Sequence, residues 1–198
     1  MKEFLIALLS AVTLQNILFT RGLGANPIFS ISRRSYKTSA LFCGFMAYFM
    51  LSLTALSFWV SPLLENLHTA FSSYVLRPIV YLLILTIIFA VTCFVLSKLF
   101  SDFFSENEKT ITSACFNCAV FGTVLLTLSK PYSFMQSLGY ASGACIGFIL
   151  ALIIVSEGQR RIELSPVPKS FKGLPVSLIY IGLISLAVYG LVGHQLPA

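Results

Sequence analysis

Apolar positions along this chain come in long uninterrupted blocks rather than in the short periods of a surface helix or a half-buried strand. The first block, Phe4–Arg21, is broken by the polar pair Gln15–Asn16 and followed by Gly-Leu-Gly-Ala-Asn-Pro at 22–27. That run cannot continue a helix, so the chain is expected to break while still near or within the membrane. Thr38–Val60 is the second block, 23 residues without a charge, or about 35 Å of helix. Trp59 stands at its far end, where an indole favours a membrane interface. Pro78–Ser97 is the third, with Pro78 expected in the first turn, where a helix tolerates proline. Thr112–Leu128, Tyr132–Ser156 and Leu174–Leu196 complete six predicted spans. The connections are a basic segment with Arg33, Arg34 and Lys37; Ser61–Leu76, with Glu65 and a His68 read as solvated; the polar stretch Lys98–Lys109, which divides the chain almost in half; Lys130–Pro131; and Glu157–Gly173, kept irregular by Pro166 and Pro168.

Composition agrees with this pattern. The residues are 57% hydrophobic and 10% charged, against roughly a quarter charged in soluble domains, so the chain is a polytopic membrane protein and the lipid bilayer is its solvent. The net charge of +6 is then no sign of a nucleic-acid partner, and its distribution over loops reports orientation. Ten Lys and Arg (Arg21, Arg33, Arg34, Lys37, Lys98, Lys109, Arg160, Arg161, Lys169, Lys172) fall on one side and three (Lys2, Arg77, Lys130) on the other. The positive-inside rule puts the ten in the cytoplasm and both termini outside. Lys2, the first apolar run and the small residues before Asn26 imitate a secretory signal, but Glu3 and Arg21 argue against one. The five cysteines lie in or beside apolar runs, which is not a secreted disulfide framework.

Six spans about a central polar stretch suggest two halves of three, and an odd number per half inserts the second half upside down. The expected fold is therefore an all-α integral membrane protein, a single membrane domain of six transmembrane helices in two inverted three-helix repeats (about 1–100 and 108–198), with broken first and fourth helices. Gln15-Asn16-Ile17-Leu18-Phe19-Thr20 lies in the first span as Phe116-Asn117-Cys118-Ala119-Val120-Phe121 lies in the fourth. Paired interrupted helices in inverted repeats point to a site at the midplane. Gln15, Asn16, Asn26 and Asn117 place amides in or near hydrocarbon, so a sister chain or the opposite half must satisfy them. Gly139, Gly143 and Gly147 form a groove of small residues for another helix.

The fourth span carries the candidate chemistry. An apolar segment that only has to dissolve in lipid needs neither Cys115, Asn117, Cys118 nor Gly122, so contact with something inside the bilayer is expected. On an unbroken helix Cys115 and Cys118 share one face; a metal or redox role and inert packing are both open for them. Cys43, Cys93 and Cys145 read as packing. Spans two to six hold no Asp, Glu, Lys or Arg, so no carboxylate relay for protons or sodium is expected in this chain alone. No nucleotide-binding loop and no catalytic constellation is present.

Asn-Cys-Ala-Val-Phe-Gly at 117–122, Phe134-Met135-Gln136-Ser137, the glycine-rich fifth span, Val167-Pro168-Lys169-Ser170-Phe171-Lys172-Gly173 and Ser185-Leu186-Ala187 together resemble one family. It is that of the six-span subunits of the Rnf and Na⁺-pumping NADH:quinone reductase complexes, the A branch of the Rnf proteins most of all and the E branch of the reductases next. In the first half, Leu23-Gly24-Ala25-Asn26-Pro27 and Ser32-Arg33-Arg34 fall where the family has Leu-Gly-Leu-Cys-Pro and Ser-Lys-Lys. The resemblance spans nearly the whole chain. It implies a translocase subunit of the bacterial cytoplasmic (inner) membrane, paired with a homologous sister subunit of opposite topology and with other membrane, flavin and iron–sulfur subunits. It further implies that each sister gives one cysteine from each broken helix to a shared iron–sulfur cluster of the 2Fe–2S type near the midplane. That cluster passes electrons across the membrane, and the Rnf reaction links ferredoxin and NAD to export of Na⁺ or H⁺.

The chain departs from the pattern at the ligands. Cys118 matches the second family cysteine, but Asn26 occupies the place of the first, and an amide oxygen is a poor substitute for a thiolate on iron. Cys115 is extra relative to the motif and could supply the missing sulfur. A cluster with Asn26 as a weak or absent ligand, and loss of the cluster altogether, also remain open. Two classes follow: a redox subunit of an ion-translocating oxidoreductase, or a non-redox inverted-repeat membrane protein, transporter-like or an assembly scaffold.

Overall fold

A backbone in hydrocarbon must satisfy its own hydrogen bonds, and every regular element among the described residues does so as helix. A computed structural model describes residues 2–25, 36–65, 70–164 and 173–192, with Pro166 and Pro168. The helices in chain order are α1 (Lys2–Val12), α2 (Ile17–Arg21), α3 (Tyr36–Glu65), α4 (Ala70–Leu99), α5 (Ser101–Cys115), α6 (Cys118–Leu128), α7 (Phe134–Leu164) and α8 (Leu174–Val192). Asn26, Pro27, Arg33, Arg34, His68, Lys169 and Lys172 lie outside the described residues. Tyr36–Leu64, Leu76–Leu99, Ser101–Leu128 (taken across its break) and Phe134–Ile162 are each long and apolar enough to cross a membrane. Leu174–Gly190 is a shorter apolar helix. The chain is a multi-pass, all-helical membrane protein.

Three boundaries differ from the pattern of polarity. Ser101–Cys115, half of which reads as loop, is helix throughout. Its polar residues include good helix formers and neither glycine nor proline, and Asp102 sits in the first turn, where the helix dipole favours a negative charge. Only Phe100 separates it from α4. At the far end, α7 runs on through Arg160 and Arg161 to Leu164, with Arg161 paired to Glu157 one turn back. Pro78 lies inside α4 rather than in its first turn, because the helix starts eight residues earlier, at Ala70.

The two interrupted helices break where an asparagine falls among apolar residues. α1 ends at Val12 and α2 begins at Ile17, with Asn16 as its cap: the side-chain oxygen accepts from the N–H of Leu18 at 3.1 Å and of Phe19 at 3.4 Å. α5 ends at Cys115 and α6 begins at Cys118, with Asn117 in extended backbone and its oxygen accepting from the Ala119 N–H at 3.1 Å. Asparagine offers the chain a side-chain acceptor for the orphan N–H groups of a new helix, which is why the breaks fall there. Each capping amide then reaches into the other half. Asn16 Nδ2 donates to the Gly147 carbonyl at 2.8 Å, and Asn117 Nδ2 to Met46 Sδ at 3.5 Å. Asn117 lies as far beyond Asn16 in the sequence as Gly147 lies beyond Met46, so the two bonds are reciprocal. Gln15 is met from the second half as well, its Oε1 accepting from Lys130 Nζ at 2.7 Å.

α7 is the central helix, packed on α1, α3, α6 and α8, with α2 against its side. The glycine groove is occupied by α1. A Cβ at Gly139 would fall 2.7 Å from the Phe4 carbonyl oxygen, and one at Gly143 would overlap the Leu8 backbone. Phe42, Met46, Phe49, Met50 and Leu53 of α3 meet Ile17, Leu18, Val120, Val124 and Phe148 in the core. On α4 the side chains of Ile79, Leu82, Leu83, Ile87, Val91 and Phe94 stay exposed, an apolar face suited to lipid or to another membrane chain.

Candidate functional site

The site is built where the two breaks meet. α2 is only five residues long and stops at Gly22, which takes a left-handed φ of 68° and closes its N–H onto the Leu18 carbonyl at 2.8 Å. The next residues turn toward the start of α6. Gly24, again left-handed at φ 84°, donates its N–H to Cys118 Sγ at 3.0 Å. Cys118 is the first residue of α6 after its asparagine cap, and its side chain is exposed. The N–H groups of Ala119, Val120 and Phe121 behind it are taken up by Asn117, and the positive end of the helix dipole at this position suits a negatively charged ligand group.

The backbone approach is tight. A Cβ at Gly24 would lie 2.6 Å from the Phe148 ring and 3.0 Å from the Ala119 methyl, and one at Gly122 would overlap the Leu23 side chain. The segment 22–25 is thus seated against α6 and α7 through two residues that lack side chains. Phe116, just before the Asn117 cap, is half exposed and packs edge-on against Phe89, ring centres 5.2 Å apart.

The candidate ligands differ in exposure. Cys115 is the last residue of α5 and is fully buried, whereas Cys118 is exposed on the other side of the break. The one-face arrangement expected from Cys-x-x-Cys therefore does not form, because the helix stops between the two thiols. Asn26, two residues along the chain from Gly24, lies outside the described residues. Among the described residues no three of His, Cys, Asp and Glu come together as a group able to hold a metal ion. One accessible sulfur fits an iron–sulfur ligand; the remaining ligands of such a group would have to come from elsewhere. Cys145 faces Met50 Sδ at 3.3 Å in the core and Cys43 and Cys93 are half-buried.

Three features of this region go beyond the candidate ligands, and they differ in how far the residue pattern shows them. The Gly24 donor is a backbone group and leaves no trace in the side-chain pattern beyond the glycine itself. The capping roles of Asn16 and Asn117 have a signal, an asparagine immediately before an apolar run. Lys130 looks like a loop charge, yet its ammonium is held by Gln15 Oε1, by the Tyr132 hydroxyl at 3.2 Å and over the rings of Tyr132 and Tyr140 at 5.3 and 5.2 Å.

A family model described as Rnf-Nqr subunit, membrane protein, matches residues 4–194. The A subunit of the ion-translocating oxidoreductase complex of Syntrophotalea carbinolica is 31% identical over 193 residues, which cover 98% of each chain. Proteins of the same name from Vibrio vulnificus, 29% identical over 195 residues, and Shewanella oneidensis, 31% over 194 residues, cover the same shares. With a match running almost from end to end, the chain belongs to the Rnf-Nqr family of membrane subunits.

Proposed function

We propose that this chain is the A component of an ion-translocating oxidoreductase complex. In this reading it carries electrons across the membrane through an iron–sulfur cluster shared with a sister subunit, and the complex as a whole couples that flow to export of Na⁺ or H⁺. The observation that carries the reading is the exposed Cys118 thiol at the mouth of a broken helix, held beside the 22–25 turn. The names of the full-length relatives support the assignment to the complex.

Within this reading each residue has a task. Cys118 binds the cluster; Asn117 ends the preceding helix so that Cys118 stands at a fresh N-terminus; Asn16 and Gly22 turn the first-half chain toward it. A bound cluster supplies a one-electron carrier. The burial of Cys115 in the core supports Asn26 or a group of the sister subunit, rather than Cys115, beside the iron. The sister is a homologous six-helix chain of opposite topology, and flavin and iron–sulfur subunits supply and accept the electrons.

The inverted three-helix repeats are part of the same proposal. Their support is the matched pair of asparagine breaks and the reciprocal bonds to Gly147 and Met46. The orientation, both termini outside the cytoplasmic membrane, is supported by the uneven distribution of Lys and Arg.

The test is Cys118→Ser in the assembled complex. The expected result is loss of this cluster's visible absorption and paramagnetic signal, with loss of cross-membrane electron transfer. Asn26→Cys is expected to raise iron occupancy. An assembled wild-type complex with no iron at this subunit would overturn the redox reading.

A further inference from the structure

A groove of about 540 Å³ lies between α3 and α4, away from the two breaks, walled by Leu41, Phe45 and Tyr48 on one side and Val91, Thr92 and Val95 on the other. Its volume is in the ordinary range for a small-molecule site, about 300–1,000 Å³. Gly44 makes the room, since a Cβ there would meet nothing within 4 Å. The wall is almost entirely hydrocarbon, and its two hydroxyls are already committed. Thr92 Oγ1 donates to the Ile88 carbonyl at 2.7 Å, which leaves Tyr48 to donate to Thr92 Oγ1 at 3.3 Å. No hydroxyl hydrogen is left for a carbonyl-bearing ring such as a quinone, so the groove fits an apolar chain.

One end of the groove is basic. Lys37 comes one turn before Leu41 and Lys98 three residues after Val95, so each stands on the helix face that lines the groove. Both are at the same end because α3 and α4 run antiparallel, with Tyr48 beside Thr92 and Phe49 beside Phe89. The two apolar spans also end there, at Tyr36 and Leu99. The ammonium groups therefore reach headgroup depth while the groove lies at the depth of acyl chains. Lys98 Nζ is 5.9 Å from the centre of the Phe94 ring, and among the described residues neither lysine is held in an ion pair.

We propose that this groove is a binding site for one anionic phospholipid, an acyl chain lying between α3 and α4 and the phosphate between Lys37 and Lys98. The charge at the mouth and the hydrocarbon wall below it match the two ends of that molecule. The uneven distribution of Lys and Arg puts the mouth in the cytoplasmic leaflet, where anionic headgroups gather and basic pockets between spans hold them. α4 is also the least buried of the four long spans, so lipid has access to its groove face. The site is independent of Cys118 and of any redox role.

The experiment places the assembled complex in phosphatidylcholine vesicles doped with phosphatidylglycerol that carries a diazirine on one acyl chain, or with phosphatidylcholine carrying the same chain. After illumination, the segments Leu41–Tyr48 and Val91–Leu96 are expected to bear the phosphatidylglycerol probe in preference to the phosphatidylcholine probe. Lys37→Gln and Lys98→Gln are each expected to cut that preference by roughly fivefold. Gly44→Leu, which fills the groove without a clash at its Cβ, is expected to remove the labelling by either probe. Equal labelling by the two headgroups would mean boundary lipid alone and overturns the proposal. So does a preference that survives both lysine substitutions, labelling that Gly44→Leu leaves unchanged, or a wild-type groove that takes no label because a neighbouring subunit covers it. If a variant fails to assemble, the comparison of headgroups on the wild-type complex decides by itself.

Discussion

At the scale of the residue, the two asparagines do the same local job with different reserves. Asn16 caps two N–H groups and donates to a carbonyl at 2.8 Å, while Asn117 caps one and donates to a thioether, a weak acceptor. Asn16→Ala should therefore cost about 1–3 kcal/mol, for a lost cap and a lost buried hydrogen bond to the Gly147 carbonyl. Asn117→Ala should cost about 1 kcal/mol, the cap alone. Thermal unfolding of the purified complex carrying each variant would compare them, and equal losses would count against the hydrogen-bond account. Cys115→Ser makes a second residue-scale prediction. Fully buried on the other side of the break from Cys118, it should leave the cluster signal in place, and a lost signal with normal assembly would make Cys115 the missing ligand.

At the scale of the element, the glycine groove makes the strongest claim on the fold. Gly143→Leu would drive a side chain into the backbone of α1 at Leu8, whereas a Cβ at Gly182 meets nothing within 4 Å, so Gly182→Leu starts into open space. The first should destabilise by about 1–3 kcal/mol or more, as overpacking does, and the second should be close to neutral. Melting temperatures of the two variants in one detergent check the contrast. This groove could be read from three glycines at four-residue spacing, and the breaks from an asparagine inside each apolar run. The helix Ser101–Cys115 could not, because its first nine residues are polar or aromatic without a lipid-like run, and polarity reports the solvent of a segment rather than its backbone. The Gly24–Cys118 contact was equally hidden, since it needs the fold to bring residues from opposite halves together. What remained legible at the site was Cys118 itself.

At the scale of the whole molecule, three of the four amides that a membrane interior would penalise are answered across the halves, the fourth, Asn26, lying outside the described residues. Gln15 and Asn16 find Lys130 and Gly147, and Asn117 finds Met46. No second chain is thus needed for these three groups; the exposed Cys118 and Phe116 are what the proposed partner would cover. Orientation gives a direct measurement. A thiol-reactive, membrane-impermeant label should reach Ser105→Cys only from the cytoplasmic side and a cysteine appended after Ala198 only from outside. A C-terminal label on the cytoplasmic side would overturn the proposed span count.

The bond from Asn16 to Gly147, with α1 seated in the α7 groove beside it, also bears on which kind of machine this protein can be. A carrier that works by alternating access must rock one half against the other about its broken helices, and here that motion would break the buried bond from the Asn16 amide to Gly147. At about 1–3 kcal/mol for that group, the loss would disfavour the opened form by roughly 5- to 150-fold. An electron asks for the opposite property. It tunnels through a scaffold that hardly rearranges, so a chain stitched together at both of its breaks suits the proposed electron path better than it suits a gate.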